Sequence, residues 1–140
     1  MFLDLQVNYL AVFLAAVAAM ATGFLWYSPF LFGKAWVTLR GMTDQNFQQA
    51  KQKGMAKTYF MAFVNSLVMA FVLACILYLT AVPTVLDALL VGLMLWAGFV
   101  MTVLLGSVLW DGRPFKLYLI NAGHYLLVMI VMSIIIFFVV

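Results

Sequence analysis

Four apolar runs, at about 5–28, 58–81, 84–110 and 116–139, constrain this chain more than any other feature. A helix needs about 20 mostly apolar residues to cross the hydrocarbon core, and each run reaches that length. The runs predict an all-α integral membrane protein, a single domain over 1–140 with four transmembrane helices in a bundle. Charge content agrees. Only 8% of the residues are charged, against about 25% in soluble domains. That scarcity excludes a soluble globular surface, and the high hydrophobicity excludes disorder. The first run has an acidic flank at Asp4, no basic start and more length than a signal-peptide core. It is read as a retained span.

Orientation follows from the cations. Lys34, Arg40, Lys51, Lys53 and Lys57 fall in the loop 29–57, and Arg113 and Lys116 lie in or beside the loop 111–115. The other connections and both termini carry none, a split of seven to zero. The positive-inside rule then predicts an inner-membrane protein with both basic loops in the cytoplasm and both termini outside. Trp26, Tyr27, Trp36, Tyr59, Trp110 and Tyr118 gather at the predicted cytoplasmic interface, with Tyr9 and Tyr78 near the outer one, as aromatic belts do. Trp96 falls in the middle of span three, where its indole N–H needs a protein partner. Pro83 marks a tight turn, after which Thr84 and Asp87 suit the start of span three. Net charge of +3 does not point to nucleic acid, because every cation sits in a loop or at a helix end.

The loop 29–57 predicts a short interfacial helical segment between spans one and two. Pro29 suits the first helical position after Ser28. Phe30, Phe32 and Trp36 beside Lys34 and Arg40 suit a helix lying in the interface, ended by Gly41. A second short helix is expected with Thr43 as N-cap, Asp44 in its first turn, and Met42 and Phe47 as a hydrophobic staple. Lys51 and Lys53 then fall in its last turn, before Gly54. Two readings stay open for it: a solvated connector near anionic lipid heads, or a docking site for a soluble partner.

Lipid supplies no hydrophobic drive between helices, so small residues that permit close approach matter. Span one carries Ala11, Ala15, Ala19 and Gly23 at spacings of four. Span two carries Ala62, Ser66 and Ala70, and span three Gly98, Thr102 and Gly106. Such stripes serve packing within one chain or between copies. Gly23 and Trp26 ahead of Pro29 are echoed by Gly106 and Trp110 ahead of Pro114, as a duplicated hairpin would produce.

Polar residues within spans are scarce and costly. Thr22, Asn65, Thr102 and His124 come from four different spans. At about 1.5 Å per residue they sit roughly 9–12 Å below the cytoplasmic interface. Tyr118, Asn121, His124 and Tyr125 share one face of span four. Three readings remain: a dry hydrogen-bonded layer that fixes register, a cytoplasm-facing cavity, or ligation of a metal or haem with a second His from another subunit. In a cavity His124 could carry a proton, since an unperturbed imidazole titrates at about pH 6.5. No phosphate-binding loop and no nucleophile–His–acid set is present. The single Cys75 excludes an intramolecular disulfide and a cysteine metal cluster. The expectation is a non-enzymatic chain without cofactor.

The order of several short segments is distinctive. Asn8-Tyr9-Leu10-Ala11-Val12 opens span one, and Trp26-Tyr27-Ser28-Pro29 runs into Phe32-Gly33-Lys34-Ala35-Trp36. Trp96-Ala97-Gly98-Phe99, Gly112-Arg113-Pro114 and Ile120-Asn121-Ala122-Gly123-His124-Tyr125 come after them. Over essentially its whole length the chain resembles a family of small bacterial membrane proteins of unknown function, DUF family seventeen sixty-one. The resemblance implies a small four-helix membrane protein and transfers no activity. The leading expectation is a self-associating protein or an accessory subunit of a larger membrane complex in the bilayer. The alternative is a channel or transporter for a small solute, ion or proton, lined by Asn65, Thr102, Asn121, His124 and Tyr125.

Overall fold

The computed structural model describes residues 5–41, 44–52 and 54–139. Among these the regular structure is helical: α1 (Tyr9–Trp26), α2 (Gly33–Leu39), α3 (Asp44–Gln52), α4 (Ala56–Thr80), α5 (Val85–Leu95), a π-helical turn (Trp96–Met101), α6 (Thr102–Leu109) and α7 (Phe115–Phe138). Four helical stretches are long and apolar enough to cross a membrane: α1, α4, the continuous Val85–Leu109 and α7.

The helix ends follow local chemistry. α1 begins at Tyr9 rather than near residue 5, because Asn8 is its N-cap: Oδ1 accepts from the backbone N–H of Leu10 and Ala11. The Asn8 amide also donates to the Val139 carbonyl at 3.2 Å, tying the N-terminal end of α1 to the C-terminal end of α7. Thr84 caps α5 by accepting from the Asp87 N–H, and its hydroxyl donates to the Asp87 carboxylate at 2.6 Å. α4 ends on Ala81, which takes a left-handed conformation (φ 48°) before Pro83.

The short helix that follows α1 starts later than the Pro29 pattern predicts. Residues 27–32 form turns instead, in which the Ser28 carbonyl accepts from both Leu31 and Gly33. Gly33 then opens α2. A Cβ there would collide with the Tyr27 carbonyl oxygen, so only glycine lets the chain fold back this tightly. Gly41 (φ 73°) follows α2 as expected. The capping roles of Met42, Thr43 and Lys53 lie outside the described residues, as do the side chains of Asp44, Phe47 and Lys51 and the flank at Asp4.

α7 is the hub. It packs extensively against α1 and α5, and more sparsely against α6 and α4. α1 lies between α4 and α7. Its Ala11, Ala15 and Ala19 are buried, as are Val12 and Ala16, so both flanks of α1 are covered. Ala70, Leu73, Ala74, Val128 and Met132 complete the core.

The third span packs through a different stripe from the one its glycines suggest. Ala88 and Gly92 are buried against α7, and a Cβ on Gly92 would come within 2.5 Å of Ser133 Oγ. A straight helix would continue that face through Phe99 and Val103, yet each of these is 71% exposed. The π turn at Trp96–Met101 is the reason. Its wider i→i+5 spacing inserts about one residue and rotates the rest of the span about its axis. The contact face resumes at Met101, whose carbonyl accepts from the Tyr118 hydroxyl at 3.2 Å. Gly98 and Thr102 are left exposed, and among the described residues no atom outside its own stretch of helix stands within 4 Å of a Cβ built on Gly98.

Candidate functional site

The end of the molecule that carries Lys34, Arg40 and Lys57 is organised around one turn of α7, Ile120–His124. Two indoles converge on it. Trp26 Nε1 donates to the Ile120 carbonyl and Trp96 Nε1 to the Ala122 carbonyl, each at 2.9 Å. These carbonyls belong to the helix ladder and use a second lone pair for the indole. The partner expected for Trp96 is therefore the backbone of α7.

Gly123 makes the first of these contacts possible. A Cβ on it would stand 3.0 Å from Trp26 Cζ2. The same indole packs on Phe32, ring centroids 4.6 Å apart, which anchors the turn leading into α2. Trp26, Tyr27, Gly33 and Trp36 thus form one folded corner, while Pro29 and Lys34 are exposed. Tyr27, one residue past α1, donates its hydroxyl to Asn121 Oδ1 at 2.7 Å. Burial, with Tyr125 adding to it and Arg40 opposing, pushes the Tyr27 phenol above its ordinary value, so it stays a donor. Arg40 lies over the Trp36 ring, 4.4 Å from its centroid.

His124 stands behind this corner. Its ring lies between Tyr27 and Tyr125, with centroids 5.0 and 4.7 Å away. Nε2 packs so closely on α1 that a Cβ on Gly23 would be 3.3 Å from it. Both ring nitrogens are buried, and neither has a hydrogen-bond partner among the described residues. His124, Tyr27 and Tyr125 line a cavity of about 480 Å³ between α1, α4 and α7, together with Gly23, Asn65 and Ser66. A second cavity of about 360 Å³ sits at the other end, beside Asn8, Leu77 and Tyr78. Fully buried Ala15, Ala70 and Met132 belong to the core between the two.

The polar residues are not one layer across four spans. The Thr102 hydroxyl donates to its own helix at the Gly98 carbonyl (2.6 Å) from an exposed position, because the π turn has rotated it away from α7. Thr22 likewise donates back to Ala18 at 2.8 Å. Asn121 is engaged by Tyr27 rather than by another span's interior. Asn65, His124 and Tyr125 remain together on the cavity. Gly106 meets only its own Trp110, at 3.8 Å from a Cβ. Among the described residues no three of His, Cys, Asp and Glu gather as metal ligands.

Gly92, Gly123 and Ser133 escape a reading based on polar residues and small-residue stripes. The available signal was cost: glycine inside a helix is about 1 kcal/mol worse than alanine in water, so an interior glycine points to close packing.

A family model described as "Protein of unknown function (DUF1761)" matches residues 10–137. No curated protein and no solved structure matches the chain.

Proposed function

We propose a small-molecule-binding function for this chain, which belongs to the DUF1761 family. In this reading the four spans form a bundle in the inner membrane, with both termini outside and the cavity beside His124 facing the cytoplasm. The seven-to-zero distribution of cations supports the orientation. One observation carries the function: a cavity of about 480 Å³ between otherwise apolar spans is lined by the polar side chains of Asn65, Ser66, His124 and Tyr125. A dry register-fixing layer would have paired His124 with Asn65 or Thr102, and neither pairing occurs. The cavity is therefore read as a place where a solute is held against these side chains. The sealed core between the two cavities favours binding, or alternating access, over an open channel.

Labelling tests this. In a Cys75→Ser background, Asn65→Cys should react with a membrane-impermeant maleimide in inside-out vesicles and stay unreactive in right-side-out ones. Reaction in neither preparation would overturn the cavity, and the reverse pattern would overturn the orientation.

Self-association, or service as an accessory subunit, is the second reading. The bare face of the third span favours it, where Gly98, Phe99, Thr102 and Val103 are exposed together. Both readings are non-enzymatic.

A further inference from the structure

The chain turns sharply where α1 ends, and the composition of that turn is unusual. A turn that only reverses a chain draws on Gly, Asn, Asp and Ser. This one reads Pro29-Phe30-Leu31-Phe32. The three aromatics expected together on one interfacial helix, Phe30, Phe32 and Trp36, part company in the structure. Phe32 stacks on Trp26, and the Trp36 ring lies 5.0 Å from that of Tyr27. Phe30 is left 94% exposed, more than any other large hydrophobic side chain among the described residues. Leu31 beside it is 49% exposed.

The turn is pinned in this shape. The Ser28 carbonyl accepts from Leu31 at 3.1 Å and from Gly33 at 2.9 Å, and the Trp26 carbonyl accepts from Phe32 at 3.1 Å. The Ser28 hydroxyl donates to the Leu25 carbonyl at 2.7 Å. Phe30 and Leu31 thus sit on a preformed tip, which lowers the ordering cost of docking. Depth follows from what the corner touches. Trp26 and Tyr27 bond to Ile120 and Asn121 in the second turn of α7, and α2 packs on α7 as well. Asn121 lies about 9 Å along the axis from Phe115, where α7 begins, and α7 is apolar enough to cross a membrane. The corner is therefore level with the end of the spans, where headgroups meet acyl chains.

Charge completes the surface. Lys34 and Arg40 are both exposed. Lys34 shares the outer face of α2 with Ala35 and Thr38, and Arg40 is held beside the corner by the Trp36 ring. We infer that this corner is an anchor for an anionic glycerophospholipid: Phe30 and Leu31 enter the leaflet where the acyl chains begin, and Lys34 and Arg40 pair with the lipid phosphate. Apolar side chains beside cations are the combination that binds anionic leaflets. A soluble acidic partner would match the cations but would have to reach the tip at headgroup depth. The inference is independent of what the cavity holds.

The full chain in phosphatidylcholine nanodiscs tests it. Ala35→Cys in a Cys75→Ser background carries a bimane on the outer face of α2. A small share of the lipid bears a nitroxide on the acyl chain near the glycerol, either as phosphatidylglycerol or as phosphatidylcholine. These share a phosphate and differ in net charge. Both should quench the bimane, phosphatidylglycerol more strongly. One cation near an anionic surface is worth about a fivefold enrichment, so a preference of at least that size is expected. Lys34→Gln with Arg40→Gln should bring the two lipids to parity, and Arg40→Lys, which keeps the charge, should preserve the preference. Phe30→Ser, at a position too exposed to burden folding, should reduce quenching by both lipids. Arg113→Gln with Lys116→Gln, at the start of α7, should leave the preference at the label intact. Equal quenching by the two lipids in the parent chain would overturn the inference. So would quenching by neither, the result expected of a soluble partner's site, or a loss with Arg113 and Lys116 as large as that with Lys34 and Arg40.

Discussion

The chain writes one short pattern twice, Gly23 and Trp26 ahead of Pro29, and Gly106 and Trp110 ahead of Pro114, and the two copies meet different fates. Trp26 donates to Ile120, lies against Gly123 and stacks on Phe32. Trp110 is 87% exposed. Gly23 admits the His124 ring, whereas Gly106 admits nothing beyond its own Trp110. The difference lies in the partner. α7 offers Trp26 a glycine and a carbonyl with a free lone pair, and among the described residues no element stands opposite Trp110 in that way. A glycine and a tryptophan near a helix end therefore announce a capacity for close contact. Whether it is used depends on the facing helix, and here the π turn has swung α6 out of phase with α7.

Gly123→Leu attacks the occupied copy where the comparison is strongest. The new side chain meets the Trp26 ring, ejects it and breaks the Ile120 bond. Overpacking together with a lost hydrogen bond should cost about 3 kcal/mol. Gly106→Leu places similar bulk where there is room and should change stability little. Thermal unfolding of the two variants in the same detergent checks the contrast. Similar melting temperatures would mean that the two copies do not differ as described.

Replacing the indoles sharpens the comparison at smaller amplitude. Trp26→Phe and Trp96→Phe each keep a ring and remove one donor to α7. Each should lower stability by about 0.6 kcal/mol, the average for hydrogen bonds between membrane helices. Neither Ile120 nor Ala122 is left unsatisfied, because each carbonyl keeps its place in the helix ladder. Trp110→Phe should have no measurable effect. A deficit for Trp110→Phe equal to the other two would place a partner on the exposed copy.

The parts of the fold legible in the sequence are those set by short-range chemistry. Span number follows from apolar length, which the bilayer imposes on each segment separately. Thr84 as a cap and Trp96 as a buried donor in search of an acceptor follow from single side chains. The π turn has no such local signature. It accompanies two contacts made at once with α7, Trp96 to Ala122 and Tyr118 to Met101. A strict α period misplaces every residue after it, which is why Gly98, Thr102 and Gly106 looked like a packing stripe. The site divides in the same way. His124, Asn65 and Tyr125 could be recognised as polar groups needing company. That Asn121 would be taken by Tyr27 depends on how residues 27–33 fold back, and that turn rests on the absence of a Cβ at Gly33.

The smallest predicted effect tests that phase shift directly. Thr102 was a candidate for the polar interior on sequence grounds, but its hydroxyl bonds to the Gly98 carbonyl of its own helix and its side chain is exposed. Thr102→Val preserves shape and removes only this local bond, whose acceptor already serves the helix. Stability should move by less than about 0.5 kcal/mol, as for substitutions away from packed features. A straight third span would instead turn Thr102 toward α7, where loss of its hydroxyl would weaken packing and alter the His124 cavity. Unfolding and maleimide labelling of Asn65→Cys, measured with and without Thr102→Val, distinguish the two. An unchanged melting temperature with unchanged labelling keeps Thr102 outside the site, and a change in both would return it to the polar interior.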